Sequence, residues 1–282
     1  MTDSANPLAN FYRAKEIYIK LPTGGQYYDE IPNLSIEGEL GIMPMSNRDE
    51  VMLKMPDTLY NGESLFKIIQ SVAPDIPDAY EVKLPDLDVI LVAMRIASYG
   101  NTMEVTSKCP HCGENNEYEF DLRVLLSGVK EISDSTSVEL KDGITVELQP
   151  NSVKIVNIRN IRETEMARLA REIAIADDND EIKKEKYSEV VENITANKIM
   201  VISDGIRKVI TPDGTTVTDM QQIVDWLTNT HNSVMNTLEN QVEKLNESGI
   251  NPNQKFSCGG EECGKEYTSN LVMNSSFFFT KK

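Results

Sequence analysis

The four cysteines of this 282-residue chain fall into two close pairs far apart in sequence, Cys109 with Cys112 and Cys258 with Cys263. No other feature restricts the fold as strongly, because any chemistry that unites them turns residues 113–257 into one closed loop. Cys109-Pro110-His111-Cys112-Gly113 is a compact knuckle. Two thiolates two residues apart can grip one metal while turn amides point at the sulfurs, and the glycine frees the chain to bend left-handed. Cys258 and Cys263 enclose a longer Gly-Gly-Glu-Glu spacer, with Gly264 after them. Four soft ligands without an obvious fifth predict structural Zn2+ in a closed tetrahedral site, with sulfurs about 2.3 Å from the metal and no open position for water. Closing the long loop costs entropy only logarithmically in its length, which zinc binding of order 10–16 kcal/mol offsets.

Two other uses of paired cysteines compete with this reading. Disulfides belong to oxidising compartments. Residues 1–12 are polar and no secretory leader is expected, so the chain reads as one kept in a reducing cytosol. A thioredoxin-type pair would open a helix in a βαβ unit. The flanks here are strand-like instead: Met103 and Val105 lead in, Tyr118, Phe120 and Leu122 alternate on the way out, and Phe256 and Tyr267 bracket the second pair. Two hairpins with cysteines at their tips make a zinc ribbon when they meet, here a split one. His111 lies within the knuckle, where it can replace a cysteine as ligand, but is expected to point outward. His231, the other histidine, is expected in a helix and partly exposed.

Along the rest of the chain, residues 17–21 and 34–40 read as extended, with a Leu-Pro-Thr-Gly-Gly turn at residues 21–25. Leu65, Ile68, Ile69 and Val72 recur at helical spacing until Pro74 and Pro77. A second helix is expected from Pro85 or Asp86, carrying Leu87, Ile90, Leu91, Met94 and Ile96, with Gly100 at its end. Alternating residues 138–148 turn at Asp142-Gly143, with both turn residues expected at positive φ. Helices are expected over 158–176 and 187–197. The acids of 177–186 are spaced somewhat like a calcium loop, but Ile182 stands where that loop needs glycine. Residues 199–217 hold a second hairpin with Asp213-Gly214 at its turn. A capping box of Thr218 and Gln221 then opens one long helix from Ile223 to Leu245. Phe277, Phe278 and Phe279 form a tail that is core or interface.

Acidic residues outnumber basic ones 45 to 28, a net charge of −17. Such a surface repels phosphate backbones and anionic lipids, so no nucleic acid is expected as partner. No membrane segment is expected either. The sequence has no phosphate-cradling loop, dinucleotide fingerprint or zinc-protease motif, and two distant histidines give a triad little to work with. The expectation is no enzyme, although paired carboxylates leave no spacing signature to exclude. The rival class is a zinc-ribbon transcription or RNA-processing factor, against which the acidic charge argues.

Several segments in order carry a resemblance. They are the Leu-Pro-Thr-Gly-Gly turn, Ile42-Met43-Pro44-Met45-Ser46 with Arg48-Asp49-Glu50, Leu91 through Gly100 ending in Arg-Ile-Ala-Ser-Tyr-Gly, the cysteine knuckle, and Asp121-Leu122. In these the chain resembles the baseplate hub and hub-assembly proteins of T-even-type contractile-tailed phages. The resemblance implies a structural or assembly protein that contacts other baseplate hub or tail proteins, in the host cytoplasm during assembly and in the virion tail baseplate, and it carries over no catalytic residue. The expected fold is α+β: an N-terminal α/β region over 1–100, a split four-cysteine zinc ribbon over 101–125 plus 252–282, and an inserted hairpin and helical region over 126–251.

Overall fold

A computed structural model describes residues 6–8, 11–54, 63–132, 136–175, 180–260 and 262–271, excluding the side chains at positions 180 and 182. The Phe277-Phe278-Phe279 tail and residues 177–179 of the acidic 177–186 run lie outside the described residues. Strand β1 (Ile17–Lys20) pairs antiparallel with β2 (Glu39–Ile42). Gly24 and Gly25 take φ of +60° and +75° in the turn that leaves β1. β2 starts later than the extended run expected from residue 34. The Gly38 amide donates to the Ser35 carbonyl at 2.9 Å, with Gly38 at φ +75°, so 35–38 is a turn. Helix α1 (Asn47–Leu53) opens on a capping box of Ser46 and Asp49, and α2 (Glu63–Val72) stops ahead of Pro74. Helix α3 (Leu84–Tyr99) has Pro85 in its first turn and ends at Gly100, φ +93°. Its residues 89–96 are all buried, so it runs through the middle of the larger core rather than across its surface. β3 (Thr102–Lys108) and β4 (Asn115–Asp121) then form a regular antiparallel hairpin, followed by the short α4 (Arg123–Ser127).

The next region builds a four-stranded antiparallel sheet in the order β5 (Ser137–Glu139), β6 (Thr145–Leu148), β7 (Ile206–Ile210), β8 (Thr216–Val217). Both Asp-Gly pairs sit at hairpin turns, but only the glycines have positive φ, +75° at Gly143 and +86° at Gly214. The loops have three residues, not two. Leu140 donates to the Ile144 carbonyl and Thr211 to that of Thr215, at 2.8 and 2.9 Å, and the fourth residue of each turn is the left-handed glycine.

Between β6 and β7, helices α5 (Val153–Ile175) and α6 (Asp180–Asp204) form a long antiparallel pair. Both exceed expectation. Ser152 accepts from the Ile155 amide through Oγ, which lets α5 start directly behind Pro150 and Asn151. α6 takes in residues 199–204, which the sequence reading had grouped with the second hairpin. The single long helix expected after β8 is two, α7 (Met220–Asn229) and α8 (Asn232–Asn246). Asp219, not Thr218, caps α7, its carboxylate accepting from the Gln222 amide at 2.9 Å. His231 is the cap of α8 rather than an interior residue, its Nδ1 accepting from the Ser233 amide at 3.1 Å. The break falls in Asn229-Thr230-His231-Asn232-Ser233, whose short polar side chains compete for backbone groups.

Two hydrophobic clusters result. One contains Val146, Leu148, Ile202, Ile206, Ile223, Leu238 and neighbours from the sheet and α6 to α8. The other gathers β1, β2, α2 and α3 with residues from β3, β4 and a last hairpin, β9 (Asn253–Ser257) and β10 (Glu266–Asn270). Asn151 lies between the clusters, fully buried: its amide and carboxamide bond Asn246, the Val201 carbonyl and Asp204 at 2.8–3.1 Å. Among the described residues no helix is long and apolar enough to cross a membrane.

Candidate metal centre

Each cysteine pair sits at the tip of its hairpin, and the two tips are built alike. The Cys109 amide donates across the strand ends to the Glu114 carbonyl at 2.8 Å, and that of Cys258 to the Lys265 carbonyl at 3.0 Å. Behind each pair a glycine turns left-handed, Gly113 at φ +81° and Gly264 at +53°, as the knuckle reading required of Gly113. In each, the sulfur of the first cysteine accepts from the amide two residues on: His111 to Cys109 at 3.4 Å and Gly260 to Cys258 at 3.5 Å.

The hairpins then meet tip to tip. Cys109 Sγ lies 3.9 Å from Cys263 Sγ and Cys112 Sγ lies 3.5 Å from Cys258 Sγ, with all four sulfurs within 4.8 Å of one another. All four are free thiols. Cys109 and Cys258 are buried, Cys263 is partly covered and Cys112 is exposed. His111 is exposed, and its side chain stands apart from the four-sulfur group.

Packing between the strands fixes this meeting. The Phe256 ring lies 4.7 Å from that of Tyr118 and 6.2–6.3 Å from those of Phe120 and Tyr267, within the range of favourable offset aromatic contacts. The Tyr118 hydroxyl donates to the Ser257 carbonyl at 2.9 Å and lies 3.1 Å from the Tyr267 hydroxyl. Asn116, which sequence reasoning passed over, ties the tips together. Its Oδ1 accepts from the Gly259 amide at 2.7 Å, and its Nδ2 reaches the Cys258 sulfur at 3.6 Å. A signal was present: Asn116, Tyr118 and Phe120 share one face of β4, so a buried polar group there needed a partner.

The thiols interact strongly. Burial pushes Cys109 up, but hydrogen bonds from the Cys112 and His111 amides and the Cys112 and Cys258 thiols outweigh it, leaving a pKa of about 7. The Glu114 amide lowers Cys112, yet the Cys258 hydrogen bond, burial, and the hydrogen bonds of Cys109 and Cys263 carry it up to about 12. Four thiolates in so small a volume repel one another unless a cation shares it. The cluster could hold a metal ion.

The other segments that caught attention in sequence have structural partners. Thr23 of the Leu-Pro-Thr-Gly-Gly turn donates its amide and hydroxyl to buried Asp86 in the first turn of α3, at 3.0 and 2.5 Å, and Tyr28 donates its hydroxyl at 2.7 Å. The Met45 amide donates to Ser98 Oγ at 2.9 Å, joining residues 42–46 to the Arg95–Gly100 segment, where Arg95 lies over the Tyr99 ring. Asp49 accepts from Arg13, Ser46 and Ser71.

Compared with known families, residues 16–279 match the model of the family described as T4 bacteriophage base plate protein. No curated protein and no solved structure matches the chain.

Proposed function

Because the chain belongs to the T4 bacteriophage base plate protein family, a family of structural tail components, we propose that it works in or on the baseplate hub as a structural or assembly protein. It does so by protein–protein contact with other hub or tail proteins, first in the host cytoplasm, and it performs no reaction. The observation that carries the mechanical half of this reading is the meeting of two cysteine pairs 146 residues apart.

Zn2+ bound by Cys109, Cys112, Cys258 and Cys263 would fasten those segments, making the two hairpins a split zinc ribbon. The fit is supported by geometry. Ligands about 2.3 Å from a tetrahedral centre stand about 3.8 Å apart, and the sulfur contacts of 3.5 and 3.9 Å bracket that value. The donor set is four soft sulfurs, with amides already turned toward two of them. On this reading the chain is organised as an N-terminal region of residues 1–100, the ribbon over 101–125 plus 252–282, and an insertion over 126–251.

Metal analysis of the purified chain should give about one zinc per molecule. Co-expression with the tail proteins of the same genome, followed by mass spectrometry of the recovered complex and of intact particles, tests the hub role. Copurification with no baseplate protein, or tight salt-dependent binding of nucleic acid, would overturn it.

A further inference from the structure

Between α6 and α7, with Ile155 of α5 also in its lining, a groove of about 560 Å3 lies open. Val191, Ala196, Ile199 and Met200 of α6 line it together with Met220 and Val224 of α7. Val191 is 60% exposed and Met220 47%, so these are large apolar side chains left in water. The α6 residues involved, from Val191 to Ser203, repeat every three to four positions over twelve residues, which is about 18 Å of helix. That is the shape that accepts the apolar ridge of another helix, and two flexible methionine side chains let it adapt to the ridge it receives.

Charge selects the occupant. The lining carries exposed Glu192 and the carboxylate of Asp204, the latter already accepting from Asn151 and Ser152, and no lysine or arginine. The whole chain is −17, so a second copy approaches against repulsion, whereas a helix with basic flanks is drawn in. We infer that this groove is the docking site for an amphipathic helix of another protein, apolar along one face and flanked by lysine or arginine. The inference deepens the hub reading by naming the contact surface, and it stands or falls independently of metal at the cysteines.

The test uses the full chain and a labelled helical peptide of about 18 residues, leucines along one face and lysines elsewhere, with a leucine/glutamate twin as control. Fluorescence anisotropy at physiological salt should show binding of the lysine peptide alone. Ala196→Arg, at an exposed lining position, should weaken it at least about tenfold with an unchanged thermal melt. Thr228→Arg, also exposed and lining the groove, provides the same block should Ala196→Arg fail to fold. Equal binding by a folded blocked variant would mean diffuse charge attraction and would overturn the inference. So would equal binding of the glutamate twin, or a dimer in sedimentation that the block dissolves, since the latter gives the groove to a second copy.

Discussion

Chelation of the proposed zinc gives the most direct measure of how much the cysteine cluster contributes. A ligand stabilises a fold only by the excess of its affinity for the folded over the unfolded chain. In the folded protein the four sulfurs already lie within 4.8 Å. An unfolded chain that used all four would first have to close a loop of 146 residues between Cys112 and Cys258, costing (3/2)RT ln n, or about 4.4 kcal/mol. That figure is the loop-closure part of the differential affinity at saturating zinc. For a chain of this size it corresponds to a melting-temperature loss of roughly 7 °C on chelation. The fold should survive the loss in outline, because Phe256 and Tyr267 still belong to the core that contains α3. Circular dichroism follows the whole chain, while Trp226, packed in the other cluster, reports that half separately by fluorescence. Cys258→Ser and Cys112→Ser should each reproduce the chelated melt. A metal-free chain melting within about 2 °C of the metal-bound one would refute the closure argument, since no differential affinity would then exist.

Three further outcomes follow from other sites. Burial lifts the Asp86 carboxyl to about 6, against the lowering effect of Thr23 and Tyr28 hydrogen bonds and Lys83 charge. A folded pKa above the unfolded value makes its contribution fully present below about pH 4 and lost as pH rises through about 6, a swing of about 3 kcal/mol. Asp86→Asn should therefore remove that part of the pH dependence in urea titrations between pH 4 and 7, and parallel profiles for the two proteins would refute it. A Cβ at Gly205 would stand 2.6–2.7 Å from both γ-methyls of Val242. Gly205→Ala should cost about 1–3 kcal/mol and be largely rescued by Val242→Ala, whereas additive losses would show that the contact is not the cause. Asp49 is buried and accepts from Arg13, Ser46 and Ser71. Asp49→Ala removes the countercharge while the Arg13 guanidinium keeps the Pro44 and Ser71 carbonyls, and it should cost about 1–3 kcal/mol in denaturant melts; an unchanged melt would place the anchoring elsewhere.

Much of the local structure was readable because its causes are local. Pro85 and Gly100 bracket α3, Pro74 lies just beyond α2, and a left-handed glycine sits at both Asp-Gly turns. The misjudged boundaries fall where a local preference had competitors. Thr218 and Asp219 both qualify as caps, and the charged acceptor won. The hydrophobic spacing from Ile223 to Leu245 continues across Thr230 and His231, so periodicity alone saw one helix where backbone hydrogen bonding made two. Likewise the unbroken apolar run at 199–202 suited either a strand or the end of α6.

By itself, then, the sequence determined the two cysteine knuckles, the glycines that shape them, the acidic surface and the motif order of a baseplate family. Only the tertiary structure decided that Cys109 faces Cys263 and Cys112 faces Cys258, that Asn116 bridges the tips, and that Asn151 joins Asp204 to Asn246 between two cores. The physical reason is range. Torsional preference and capping act over a few residues and are written in local order, whereas packing and buried hydrogen bonds act between surfaces that exist only after the chain has closed on itself.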